Sequence, residues 1–323
     1  MARMFNAGYV DAKITFTNRC SARCVTCLVG NIPEKDYSDL KPETFKKFIR
    51  ELIELHNKKI RVVHFFNIGE SYLHPKFIEL VEWAIPLLKK EHIKTTVTTN
   101  GSHVLKIPMN VDSFCISFNA GKKETYEYIT KLNFDKVYNN ILNLYKSREY
   151  KKAKSFQIHM LCFDKNSGEE ENLKKLFNGM KDVRLRFSYK YDNQLNKTQY
   201  TGTVERPTKL PCDYITNKIN LHSNGDIVLC AHDFFASTSF GNMESQSLKD
   251  ILNSPKRLEM IKEHNSLQFN GLCKDCDYNT QADTIDLVYT WADEKQNKQI
   301  HLIEYLRKIR LQMRKRINRL RFG

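Results

Sequence analysis

The stretch TNRCSARCVTCLVG, residues 17–30, places three cysteines, Cys20, Cys24 and Cys27, within eight positions. Three thiols so close together, with no fourth beside them, narrow the chemistry. A tetrahedral zinc site takes four ligands, so here a distant residue would have to complete it. Disulfides pair cysteines in twos and would leave one over. A centre held by three protein thiolates, with one metal position open for something else, accommodates the count.

The rest of the composition frames that loop. At 323 residues the chain has room for about two domains, and 41% hydrophobic residues with 12 glycines mark it as globular. Charged residues interrupt every apolar run well short of the ~18 residues needed to span a bilayer, and MARMFNAGYVDAK has no apolar signal core. A cytoplasmic protein is expected, and in a reducing compartment clustered cysteines more often bind metal than pair. Seven of the nine cysteines fall into two groups, Cys20/24/27 and Cys212/230/273/276. Cys115 and Cys162 lie apart, in apolar strand-like runs.

From about residue 12 to 190, β-rich runs alternate with helical patterns. The runs are KITFTN, IRVVHFFN, KTTVTTN, VDSFCISFN, SFQIHMLCF and VRLRFSYKY. Between them, KPETFKKFIRELIELHNK carries Phe45, Phe48, Ile49, Leu52, Ile53 and Leu55 as a helical stripe opened by Pro42. HPKFIELVEWAIPLLKK reads as a second helix that Pro86 should kink or end, and FDKVYNNILNLYKS as a third. About six such alternations predict a parallel sheet, open or curled towards a barrel, with functional residues at the C-terminal strand ends. Cys20 follows the first run, NIGESYLHP (67–75) the second, Asn100 and Gly101 the third, and FNAGKKETY the fourth.

The Cys-x3-Cys-x2-Cys loop after the first strand of a repeated β/α unit resembles the radical S-adenosylmethionine (SAM) superfamily, over nearly the whole chain. NIGESYLHP is similar to the family's GGEPLLHP segment, with Ile68 and Ser71 where Gly and Pro are usual. TTNG (98–101) matches the third-strand signature, and Thr26 stands where an aromatic is favoured. The resemblance implies a four-iron four-sulfur (4Fe-4S) cluster on Cys20, Cys24 and Cys27, its open iron chelated by SAM. It implies SAM contacts from Gly69, Glu70, Asn100, Ser117 and Asn119, with Glu70 at the SAM amino group. It also implies the chemistry: one electron cleaves SAM to methionine and a 5′-deoxyadenosyl radical, which takes a hydrogen atom from an unactivated C–H bond.

The alternation ends near residue 195, where NQLNKTQYTGTVERPTK reads as a polar linker. Beyond it, Cys212 and Cys230 flank a hairpin signal, SNGD at 223–226, and SLKDILNSPKRLEMI reads as two short helices split at Pro255 before Cys273 and Cys276. Four thiolates suit a zinc ribbon or a complete second cluster equally. The order C-x12-G-x4-C, GN, SLxDILNS, CxxC is similar to the shortened SPASM module called twitch, which implies one auxiliary 4Fe-4S cluster. The expected fold class is therefore α/β: a partial (β/α)6 TIM-like barrel (residues 1–200), a twitch-like α+β module (201–285) and a C-terminal basic helix (286–323).

The layout resembles that of deoxy-scyllo-inosamine dehydrogenase-type radical SAM enzymes. In that type an alcohol becomes a ketone by loss of two electrons, the auxiliary cluster accepting one. Such a reaction needs a base or hydrogen bond at the hydroxyl, for which His159, Arg184 and Arg186 are candidates if they face inward. The implied substrate is a sugar or cyclitol-like small molecule, and the implied reductant a one-electron carrier such as flavodoxin or ferredoxin. A second reading is peptide modification, epimerising or cross-linking a ribosomal peptide, with Cys162 as the better placed hydrogen donor and Cys115 deeper. With Cys20 so near the start of the sequence, no leader-peptide-binding domain is expected before it, an expectation that leans towards the small molecule. A non-enzymatic scaffold would require intact cluster and SAM segments to be relics.

The net charge of +15 is uneven. Residues 300–323 hold eight Lys or Arg against Glu304 alone, with Leu302, Leu306, Ile309, Met313, Ile317 and Leu320 on one helical face. That tail fits a helix docked on the core, an acidic partner, or an anionic membrane surface at its inner face. The remainder is only mildly basic, so no nucleic-acid partner is expected.

Overall fold

The computed structural model describes residues 10–55, 59–104, 106–189, 212, 214–274, 276 and 285–290. Among the described residues ten strands form one sheet. The first six are β1 (Val10–Ile14), β2 (Ile60–His64), β3 (Lys94–Thr99), β4 (Ser113–Ser117), β5 (Phe156–Cys162) and β6 (Val183–Tyr189). They lie in chain order and every neighbouring pair is parallel. Crossovers are made by α1 (Pro42–Glu54), α2 (Phe77–Lys90), the pair α3 (Lys123–Thr130) and α4 (Phe134–Lys146), and α5 (Glu170–Leu176). This is the mostly parallel α/β architecture expected of a partial TIM-like barrel. Two details differ from expectation. Pro86 does not end α2, which runs on to Lys90 with Ala84, Ile85 and Leu88 buried around it; packing outweighs the one lost backbone bond. The described residues between β3 and β4 hold no helix.

One face of the sheet packs on the helices. Along β5, Phe156, Ile158, Met160 and Cys162 are buried, alternating with half-buried Gln157, His159 and Leu161. The same period of two puts Phe114 and Ile116 of β4, and Leu185 and Phe187 of β6, into one core with Phe45, Leu80 and Ile141 of the helices. The opposite face therefore carries Thr96, Thr98, Ser113, Ser117, His159 and Arg186.

The C-terminal elements extend this sheet. After α6 (Tyr214–Asn217), β7 (Lys218–Leu221) pairs parallel with β1, and β8 (Asp226–Val228) and β9 (Ser239–Asn242) add antiparallel strands. The SNGD hairpin is present, with Gly225 at φ 90°. The helices α7 (Leu248–Leu252) and α8 (Pro255–Asn265) divide at Pro255, each capped by a serine side chain, Ser247 and Ser254. The module is fastened to the core by Lys47, which donates to the carbonyls of Met243 and Gln246 at 2.7 and 2.6 Å.

At the far edge, β10 (Ile285–Thr290) pairs antiparallel with β6. The segment from residue 286 thus opens as a strand, not as the expected helix, because the apolar residues of IDLVYT find a long-range partner in β6. The amphipathic stripe from Leu302 onward and the polar linker after residue 192 lie outside the described residues.

Candidate functional site

The cysteine loop leaves β1 and is held on three sides. Its backbone N–H groups at Arg23 and Val25 donate to Thr130 and Ile129 at the end of α3, at 3.0 and 2.9 Å. Arg19 forks onto both oxygens of Asp39 at 2.7 and 2.5 Å. Asn100, just past β3, donates from Nδ2 to the Cys20 sulfur at 3.7 Å and to Ser21 at 3.1 Å. These partners lie between 20 and 107 residues apart in sequence, so the loop's shape is a property of the whole sheet end.

The loop after β2 closes the fourth side. The Glu70 N–H donates to the Arg19 carbonyl at 2.8 Å. Gly69 makes that approach possible: its φ is +79°, and a Cβ there would lie 2.1 Å from the Thr17 carbonyl oxygen. The Glu70 carboxylate lies inside the protein, 2% exposed. It accepts from Thr99 Oγ1 at 2.8 Å, Tyr72 N–H at 3.2 Å and Asn100 N–H at 2.7 Å. Burial pushes its pKa up while those three donors pull it down. Ile68 is 1% exposed, in a small second core with Leu28, Val29, Ile32 and Phe234. A side chain, not a glycine, is wanted there because Phe234, from the C-terminal module, reaches over to the cysteine loop.

All three thiols are half-buried. Burial pushes the Cys20 pKa up to about 12 and raises Cys24 as well, and the mutual repulsion of the Cys20, Cys24 and Cys27 charges adds to it. The second set converges likewise: Cys212, Cys230, Cys273 and Cys276 line a small recess with Tyr214, Ile215, Leu229, His232 and His264. Burial first, then the neighbouring Cys276, Cys212 and Cys273, raise the pKa of Cys230. Among the described residues no three His, Cys, Asp or Glu side chains draw close enough for a single metal ion.

A family model of the radical SAM superfamily matches residues 14–176. The chain belongs to the radical SAM superfamily. A model of the SPASM iron-sulfur cluster-binding domain matches residues 212–277. No curated protein sequence matches the chain. Among solved structures, BtrN in complex with AdoMet and 2-DOIA is similar at 14% identity and TM-score 0.53, over 83% of this chain and 92% of that one. Streptococcus suis SuiB bound to its precursor peptide SuiA is similar at 12% identity and TM-score 0.59, over 80% and 67%. AdoMet-bound anSMEcpe gives 15%, 0.54, 79% and 84%. Membership brings a 4Fe-4S cluster and SAM, and the SPASM module an auxiliary iron-sulfur cluster.

The residues present fit these groups. Each cysteine set offers soft thiolate donors that suit iron-sulfur clusters, three in the loop beside Gly69 and Asn100 and four around the recess. Of the other expected site residues, Ser117, His159 and Arg186 stand in one row across β4, β5 and β6, each in direct register with the next. His159 Nε2 hydrogen-bonds Ser188 Oγ at 2.7 Å. Asn119 Oδ1 accepts from the Leu161 N–H at 3.1 Å, which fixes it at the strand end. Arg184 is exposed, at the start of β6. Cys162 is a correction: it is 4% exposed, on the helix-packed face with Met160 and Ile158, and does not share the face of His159. By strand parity the thiol on that face is Cys115, registered between Thr98 and Gln157. The sequence reading missed His232 and His264 at the second cysteine set and Phe234 over the first. None belongs to a motif, and only the fold brings them in.

Among the described residues no helix is long and apolar enough to cross a membrane.

Proposed function

We propose that this radical SAM enzyme oxidises a secondary alcohol of a sugar or cyclitol-like small molecule to a ketone. When bound, the loop cluster with SAM supplies a radical that takes the carbinol hydrogen atom, and the auxiliary cluster a sink for the remaining electron. The cysteines named above are the proposed ligands. The chain's own part is to place the alcohol. The observation that carries the reading is the row Ser117, His159, Arg186 with Ser188: four hydrogen-bonding side chains on the sheet face opposite the apolar core residues of the same strands, below the strand ends that hold Asn100 and Asn119. In this reading His159 accepts the hydroxyl proton, with Ser188 holding its ring, and Arg186 steadies the developing ketone oxygen. SAM is held by the backbone around Gly69 and by Asn100, Ser117 and Asn119, since three donors of the protein itself already engage the Glu70 carboxylate. A small carrier such as flavodoxin or ferredoxin delivers the electron, and the basic tail meets an anionic membrane surface.

Cys115 favours one alternative, epimerisation of a peptide residue, in which a thiol returns a hydrogen atom to the product radical. Incubation with SAM, dithionite and candidate alcohols or peptides in deuterated water separates the two. Oxidation yields a ketone and consumes SAM, whereas epimerisation leaves the substrate mass higher by one deuterium. A product carrying solvent deuterium, with no carbonyl, would replace the first reading with the second.

A further inference from the structure

Helix α8 turns two polar side chains inward, beside Met260 and Ile261, which pack on the core. It buries Arg257 and His264 at 2% and 3% exposure and leaves Leu258 39% exposed. Polar side chains are rarely the most deeply buried ones of a surface helix unless something at the inner face rewards them. Arg257 donates to the carbonyl oxygens of Leu252 and Ile215 at 2.9 and 2.7 Å, and among the described residues no carboxylate pairs with it. Two turns along, His264 faces the recess that the four cysteines line. Its ring meets Phe269 edge-on at 5.1 Å, which fixes its orientation. Among the described residues neither ring nitrogen has a hydrogen-bond partner. A buried imidazole without partners is costly, and such a group in a native fold calls for an account.

The recess supplies one. An iron-sulfur cluster on four thiolates is a net anion with sulfur acceptors on every side, which suits both the ring N–H and the buried guanidinium. One such bond is already formed to a ligand sulfur: the His232 backbone N–H lies 3.4 Å from Cys230 Sγ.

We propose that His264 donates a ring hydrogen bond to a sulfur of the auxiliary cluster and thereby holds that cluster's reduction potential up, making it the better electron acceptor. The inference rests on Cys212, Cys230, Cys273 and Cys276 being the ligands. Every tautomer of histidine carries at least one N–H, and hydrogen bonds to the sulfurs are among the levers that set cluster potential. His264 is a positioning residue in this account and touches no substrate.

The test uses the full chain with Cys20, Cys24 and Cys27 replaced by Ala, so that only the auxiliary set loads on anaerobic reconstitution. Iron per chain is measured first, then the midpoint potential by EPR-monitored redox titration, in this background and with His264→Leu or His264→Gln added. About four irons per chain are expected before any His264 change; none would overturn the ligand assignment and the proposal with it. With iron equal in all three, His264→Leu should favour the oxidised cluster about tenfold, a fall of about 59 mV for one electron, and His264→Gln should recover part of it. Unchanged potential at full iron overturns the role of His264 and leaves the ligand assignment standing. If His264→Leu does not load, pulsed EPR decides, on the protein with His264 intact and His232 replaced by Asn, carrying histidine labelled with nitrogen-15 in the ring only, so that neither the His232 backbone nor its ring contributes. A histidine nitrogen coupled to the reduced cluster supports the proposal, and no coupling overturns it.

Discussion

The Glu70 carboxylate and the Asn100 backbone N–H are joined by a 2.7 Å hydrogen bond that ties the loop after β2 to the end of β3. Asn100 in turn reaches Cys20 through its side chain, so Glu70 supports the cysteine loop from one residue away. Its other oxygen serves Thr99 and Tyr72. An amide in its place would turn an NH2 towards at least one donor. Glu70→Gln is expected to lower the stability of the metal-free chain by about 1–3 kcal/mol, read as a fall in melting temperature, and to weaken SAM binding by equilibrium dialysis. An unchanged melting temperature would remove the stapling role.

The two cysteine sets should fail independently. Cys24→Ala is expected to remove about four of roughly eight irons per chain and abolish 5′-deoxyadenosine formation. Cys230→Ala should remove the other four and keep SAM cleavage while stopping substrate oxidation. Iron, sulfide and deoxyadenosine assays on the two variants check this. Loss of SAM cleavage in Cys230→Ala would show that the sets depend on each other.

Gly69→Ala tests the close approach of two loops. The added Cβ would meet the Thr17 and Arg19 carbonyl oxygens at 2.1 and 2.7 Å, on a backbone whose φ already disfavours any side chain. Strain of about 1–3 kcal/mol from the dihedral alone, plus displacement of the loop, should halve iron loading at the first set only. Normal loading, read by iron assay on the Cys230→Ala background, would mean that the loops can part without consequence.

His159→Phe keeps the size of the ring and removes its proton chemistry. Turnover is expected to fall by about 10²–10⁴ while SAM cleavage continues, so that deoxyadenosine accumulates without product. Product and deoxyadenosine formed at equal rates, as in the unaltered enzyme, would exclude His159 as the base.

Acid should destabilise the fold early. Burial lowers the pKa of His64 to about 3 and also lowers those of His74 and His222. Their unfolded forms bind protons near pH 6.5, so the unfolded chain takes up more protons than the native one below that value. Stability is therefore full above about pH 6.5 and falls as pH drops towards 3, by up to about 1.4 kcal/mol per pH unit for His64. Asp112, held below the usual carboxylate range by Lys154 and Thr95 against the opposing effect of burial, adds a loss only at still lower pH. Thermal melts of the metal-free chain from pH 8 to 4, repeated with His64→Gln, would show a shallower decline in the variant.

Much of this was legible from residue order. All six strand runs of the core became strands because each couples β-branched or aromatic residues to a turn signal, and the cysteine loop, Gly69, Asn100 and Asn119 fell at their ends for that reason. Strand parity also held the answer for the spare thiols: Cys162 shares the apolar series Phe156, Ile158, Met160, whereas Cys115 shares that of Ser113 and Ser117. Position near a strand end outweighed parity in the expectation, and parity was the stronger constraint. Long-range pairing was not readable. Nothing local in IDLVYT says that it will join β6, and nothing near His264 says that it will face Cys212, some fifty residues away.

The parallel pairing of β1 with β7 carries a cost during synthesis. The strand that launches the cysteine loop ends at Ile14, and its second neighbour begins at Lys218. At about 5–20 residues per second, a ribosome needs roughly 10–40 s to deliver that partner. Through that interval the nascent core presents an unpaired β edge, the kind of surface other chains add to, beside three thiols. Yield in the cell should therefore depend on what shields that edge as much as on iron supply: slowing elongation between residues 15 and 218 would favour aggregation, and a chaperone able to cover a strand edge would relieve it.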